Sequence, residues 1–71
     1  MKVVINGIAE NTTAATVLDL LRAKDVTPQL VAVEVNERIL DREEFGRTPI
    51  KDGDAVEFLY FMGGGQGTPT R

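Results

Sequence analysis

Few side chains in this 71-residue sequence are suited to covalent chemistry. It has no Cys and no His, so the commonest nucleophile, the commonest metal ligands and the side chain that titrates most readily near neutral pH are missing. No disulfide framework can form. Asp41, Glu43, Glu44, Asp52 and Asp54 offer carboxylates of the kind that hold Mg²⁺ or Ca²⁺. They lack the order and spacing of a calcium loop, so a solvated loop is expected and no metal site is assigned. Arg38, Arg42 and Arg47 suit an acidic partner, but solvation accounts for them equally well. Thr16 reads as a helix cap, not a nucleophile. The last candidate is the run Gly63-Gly64-Gly65, whose only reactive group is its backbone. Taken alone, such a run is a linker.

Positioning these residues falls to a small set of elements. Lys2 to Ile5 is β-branched, and Asn6-Gly7 follows, the strongest short hairpin signal because both residues tolerate positive φ. Ile8 to Asn11 is the returning strand. Thr16 with Asp19 three positions on resembles a capping box. Val17, Leu20, Leu21 and the stem of Lys24 share one helical face. The helix spans about residues 17–25 and is closed by Thr27-Pro28, since the residue before Pro disfavours helix. Leu30 to Asn36 alternates as a half-buried strand. Arg38 to Leu40 is a shorter strand, and a polar connection follows in which Phe45 is buried by a helical turn. Asp52-Gly53-Asp54 is a turn, and Ala55 to Phe61 is the last strand. After Met62 the composition shifts to Gly, Thr, Pro and Gln, read as a flexible tail over 63–71 behind a domain over 1–62.

One helix can cover one sheet face only. Val3, Ile5, Val33, Val35, Val56 and Phe58 are assigned inward. Val4, Ala32, Leu59 and Phe61 then fall on the open face. Together with Met62 they form an apolar patch leading to the glycines, the expected docking surface for a partner; Val4, Leu59, Phe61 and Met62 are its candidate contact residues.

Size limits what this domain can be. A chain this small buries only about 60% of the surface it exposes when unfolded. An enclosed pocket of about 300 Å³ or more would compete with its core for the same side chains. A carrier, binding module or subunit is favoured over a self-contained enzyme. The net charge is −3, from 11 acidic and 8 basic residues. No basic cluster stands out, which argues against nucleic acid as partner. No long apolar run or signal-peptide core is present, so a cytoplasmic protein, monomeric when free, is expected.

The ordered set Asn6; Thr16-Val17-Leu18-Asp19-Leu20-Leu21; Val33-Glu34-Val35-Asn36; Arg42-Glu43; Asp52-Gly53-Asp54; Phe61-Met62-Gly63-Gly64-Gly65 resembles the sulfur carrier of thiamin biosynthesis, of the ThiS/MoaD superfamily. The resemblance covers residues 1–65. It implies an α+β domain of the ubiquitin-like β-grasp type, a mixed sheet with one helix on one face. It also implies a protein that is not itself an enzyme. A ubiquitin-activating-like enzyme would use Mg·ATP to adenylate the carboxylate of Gly65, with Gly64 supplying flexibility. Sulfur would then replace AMP to give a thiocarboxylate, for transfer to thiazole synthase.

Backbone chemistry suits such an end. An α-carboxyl has a reference pKa of about 3.3–3.7 and is ionised at neutral pH, and glycine can thread a narrow channel. The sequence departs from the pattern, however. Gln66 to Arg71 follow Gly65, so the Gly65 carbonyl is an amide and cannot attack ATP. The carrier reading therefore requires a processing peptidase that cuts after Gly65, or after Gly64 since the run leaves one residue of ambiguity. Rival destinations for the sulfur are molybdopterin, cysteine or natural-product synthesis. Rival classes are a ubiquitin-like interaction module and a protein modifier.

Overall fold

The computed structural model describes residues 1–61. The tail assigned to 63–71, Met62 and the glycine run lie outside the described residues. Eight elements follow one another: β1 (Lys2–Ile5), β2 (Ile8–Asn11), α1 (Val17–Ala23), a 3₁₀ turn (Pro28–Leu30), β3 (Val31–Val35), β4 (Arg38–Leu40), a second 3₁₀ segment (Arg42–Arg47) and β5 (Ala55–Tyr60). The strands form one sheet in the order β2-β1-β5-β3-β4. The central β1 and β5 are parallel, and every other pairing is antiparallel. This is the β-grasp arrangement expected from the sequence.

Local chemistry explains most of these elements. Asn6 and Gly7 have φ of 50° and 85°, and Ile5 pairs with Ile8 across them. Two positive φ values in a two-residue turn match the twist of the flanking strands. Asn36 and Glu37 repeat the device with φ of 50° and 71°. Thr16 caps α1 by accepting the Asp19 N–H at 3.2 Å. The helix stops earlier than its expected boundary. Asp25 enters the left-handed region at φ 60°, its N–H bonds the Arg22 carbonyl at 3.1 Å, and the Val26 N–H reaches back to Leu21 at 2.8 Å. That closing motif usually uses Gly, and it ends the helix before Pro28 exerts any restriction. Leu30, expected at the start of a strand, instead closes a 3₁₀ turn that opens on Pro28.

The core lies between α1 and one sheet face. Val17, Leu20 and Leu21 from the helix meet Val3, Ile5, Val31, Val33, Val56 and Phe58 from the sheet. Phe45 is buried by the 3₁₀ segment, as expected, with Leu40 and Ile50 beside it. Val35, assigned inward, is only half-buried, because it sits at the end of β3 against exposed Arg38. Among the described residues no helix is long and apolar enough to cross a membrane.

Candidate functional site: the open sheet face

The face away from α1 is built by strand alternation. Val56 and Phe58 point into the core, so Ala55, Glu57 and Leu59 point outward. Registration with β3 places Ala32 beside Leu59 and Glu34 beside Glu57. Registration of β3 with β4 adds Ile39, opposite Glu34. Leu59 and Phe61 are 53% and 54% exposed, and Ile39 is 72% exposed. Apolar side chains this open, clustered on one face, mark a contact surface more often than a lone exposed Leu does.

Leu59 and Phe61 are open partly because β5 outruns β1. The two strands are level only over Val4–Ala55 and Ile5–Val56. β1 then turns away at Asn6-Gly7, and the Asn6 side chain closes the ladder by accepting the Phe58 N–H at 2.8 Å. Beyond that point β5 is paired with β3. The final bond runs from the Phe61 N–H to the Leu30 carbonyl at 2.8 Å. Phe61 is thus held by backbone at the root of the segment that leads to the glycines.

Val4 does not join this patch. It is half-buried and level with Ala55, four residues before Leu59. At about 3.3 Å per residue this separates them by about 13 Å, with Glu57 between. The parallel sense of β1 and β5 causes the separation, since Val4 meets the start of β5 and not its end. Met62, Gly64 and Gly65 lie outside the described residues. Ile39, Glu34 and Glu57 were not among the candidate residues. Glu57 shares the face of Leu59 by alternation along β5, whereas the places of Glu34 opposite Glu57 and Ile39 opposite Glu34 depend on which strands become neighbours, which no single-strand pattern encodes.

Most of the remaining candidates have structural partners, Glu43 and Arg47 being the exceptions among the described residues. Asp52 Oδ1 accepts the Lys2 N–H at 2.8 Å. Asp54, 9% exposed, accepts from Asn36 Nδ2 at 2.9 Å and from the Lys51 N–H at 2.8 Å. The Glu44 side chain accepts the Asp41 N–H at 2.8 Å and pairs with Arg38 at 3.1 Å. Arg42 Nε donates to the Pro28 carbonyl at 3.2 Å. Among the described residues no group of three carboxylates could hold a metal ion. Surface clefts near Thr12 and near Thr48 are lined by neither Leu59 nor Phe61.

Comparison with known proteins agrees with this architecture. Residues 3–65 match the model of the ThiS family. The chain is 34% identical over 50 residues to the sulfur carrier protein ThiS of Bacillus subtilis, covering 76% of that protein. It is 37% identical over 70 residues to a thiazole synthase of Magnetococcus marinus and 41% identical over 66 residues to one of Paramagnetospirillum magneticum, which cover 97% and 92% of this chain. The chain spans only 22% and 20% of those two longer relatives. The crystal structure of a thiamine biosynthesis protein (ThiS) from Geobacter metallireducens superposes with a TM-score of 0.78 at 48% identity, covering 92% of this chain and 100% of that one. On sequence and fold together, the chain belongs to the ThiS family.

Proposed function

We propose that the chain is a sulfur carrier of thiamin biosynthesis, a substrate of its partners and not a catalyst. The observation that carries this reading is where the family match stops. It runs through the open face, past Phe61, and ends at Gly65, the last residue of the glycine run. Gly65 is the fourth residue after Phe61, a maximum reach of about 13–14 Å when extended. That is enough to carry a terminal carboxylate from a docked globule into a neighbouring active site.

In this reading a peptidase first hydrolyses the Gly65–Gln66 amide. The released carboxylate attacks the α-phosphate of Mg·ATP in an adenylating partner, expelling pyrophosphate. A sulfur donor then displaces AMP and leaves a thiocarboxylate on Gly65. Thiazole synthase is the favoured acceptor, supported by the two relatives of that name in which a matching segment occupies about a fifth of the chain. Leu59 and Phe61 form the docking patch. Ile39 extends it, whereas Val4 stands apart.

The test uses the chain ending at Gly65 with its cognate adenylating enzyme, and follows ATP-dependent pyrophosphate release. Leu59→Arg is expected to leave the fold intact and abolish adenylation. Unchanged adenylation, or loss of the folded state, contradicts the docking assignment. A parent chain that is never adenylated by an enzyme shown to be active leaves an interaction module as the better account.

A further inference from the structure

Asn6 serves two distant parts of the fold at once. Its φ of 50° opens the two-residue turn of the first hairpin, a backbone requirement that Asn, Asp and Gly all meet. Its side chain makes a contact that the turn does not need. Oδ1 accepts the Phe58 N–H at 2.8 Å, across 52 residues, while the Asn6 backbone N–H donates to the Val56 carbonyl at 2.9 Å. Of the Asn6 carboxamide, only the oxygen is bonded among the described residues. The contact takes the place of a further rung in the parallel β1–β5 ladder, which ends at Ile5 and Val56. Past Phe58, β5 has a strand neighbour on the β3 side only, among the described residues. Leu59 and Phe61 both stand on that one-sided stretch, and both are exposed. Phe58, where the contact is made, is 4% exposed and anchored in the core.

We propose that Asn6 is a positioning residue for docking: by fixing β5 on its β1 side at Phe58, it holds Leu59 and Phe61 in the arrangement that meets the adenylating partner. The inference rests on the docking reading above and names the residue that pre-forms its surface. A strand end held on one side opens locally more readily than one held on both. A surface that must be ordered on binding binds more weakly than one already ordered. The Asn6 contact limits the one-sided stretch to the residues after Phe58. Without it, the last tie on that side is the Asn6 N–H to the Val56 carbonyl, and β3 alone holds residues 57–61. The fold survives this loss, because Phe58 stays packed in the core and β3 pairs with β5 from Val31 to Val35. The role asks only for a hydrogen-bond acceptor, so a carboxylate at the same place serves equally.

The test compares the full chain as parent, Asn6→Gly, Asn6→Asp, Thr16→Ala and Leu59→Arg. Asn6→Gly keeps the positive φ and deletes the acceptor. Asn6→Asp keeps both. Thr16→Ala removes the α1 cap and lowers stability away from the Asn6 contact. Each chain is melted and titrated with the cognate adenylating enzyme by calorimetry, and amide hydrogen exchange is followed at Phe58 and Phe61. Asn6→Gly is expected to bind at least about fivefold more weakly than the parent, and to exchange faster at Phe61 as well as at Phe58. Asn6→Asp should match the parent in both, and Thr16→Ala should melt lower yet bind as the parent does. Parent affinity in Asn6→Gly, an unchanged exchange rate at Phe61, or an Asn6→Asp chain as weak as Asn6→Gly overturns the positioning role. Equal weakening in Thr16→Ala also overturns it, because lost stability is then the cause. So does an Asn6→Gly chain with no cooperative melt, because Asn6 then carries the fold itself. Binding lost in Leu59→Arg but kept in Asn6→Gly removes this inference and leaves docking standing. Undiminished binding by Leu59→Arg removes both.

Discussion

Three amide and carboxylate side chains hold the strands where backbone pairing gives out. Asn6 accepts from Phe58 across 52 residues, and Asn36 donates to Asp54 across 18. Asn36 Oδ1 also accepts the Ala55 N–H at 3.0 Å. Asp54 uses both oxygens, and its burial makes each lost partner costly. Asp54→Ala is expected to lower stability by about 2–3 kcal/mol in urea denaturation, since the Lys51 N–H and the Asn36 amide lose their acceptor. These residues were legible as turn formers, because Asn-Gly and Asp-Gly-Asp announce turns by composition. Their second role was not legible. It depends on segments far apart in sequence meeting at β5, and no local pattern specifies that meeting.

At the level of elements, local rules with one physical solution transferred well. The first hairpin follows from Asn6-Gly7, and the helix start from Thr16 and Asp19. The helix stop did not transfer, because Asp25 takes a left-handed conformation that composition assigns more readily to Gly, while Pro28 lies five residues beyond Ala23, the last helical residue. The second hairpin carries a residual cost. Glu37 sits at φ 71°, a region that costs an L-residue with a Cβ roughly 1–2 kcal/mol. Glu37→Gly removes that cost but loosens the unfolded chain. A net gain of about 0.5 kcal/mol is expected, read as a higher melting temperature. A fall in melting temperature would show that the Glu37 side chain stabilises the turn in another way.

At the scale of the whole molecule, the two sheet faces differ: one packs on α1 and the other is open, the face on which docking is proposed. One face meets α1, and residues such as Leu20, 1% exposed, carry the fold. At about 0.05–0.15 kcal/mol per residue, a domain this size has only a few kcal/mol to lose. Leu20→Ala is expected to cost about 2–5 kcal/mol, a large share of the total. Leu59→Arg, on the other face, is expected to change stability by about 0.5 kcal/mol or less. Paired denaturation curves check the contrast. The inward and outward assignment was legible from strand alternation. Which outward residues stand together was legible only in part: Ala32 does lie opposite Leu59, whereas Val4 is level with Ala55, four residues before it.

The account turns on Gly65 as a latent terminus. The direct measurement is intact mass of two chains, one ending at Gly65 and one running to Arg71, after incubation with the cognate adenylating enzyme, Mg·ATP and a sulfur donor. The chain ending at Gly65 should gain the mass of an oxygen-to-sulfur exchange, and the longer chain should stay unchanged. Exchange on the longer chain without loss of residues 66–71, or no exchange on the shorter chain beside an enzyme shown to be active, contradicts it.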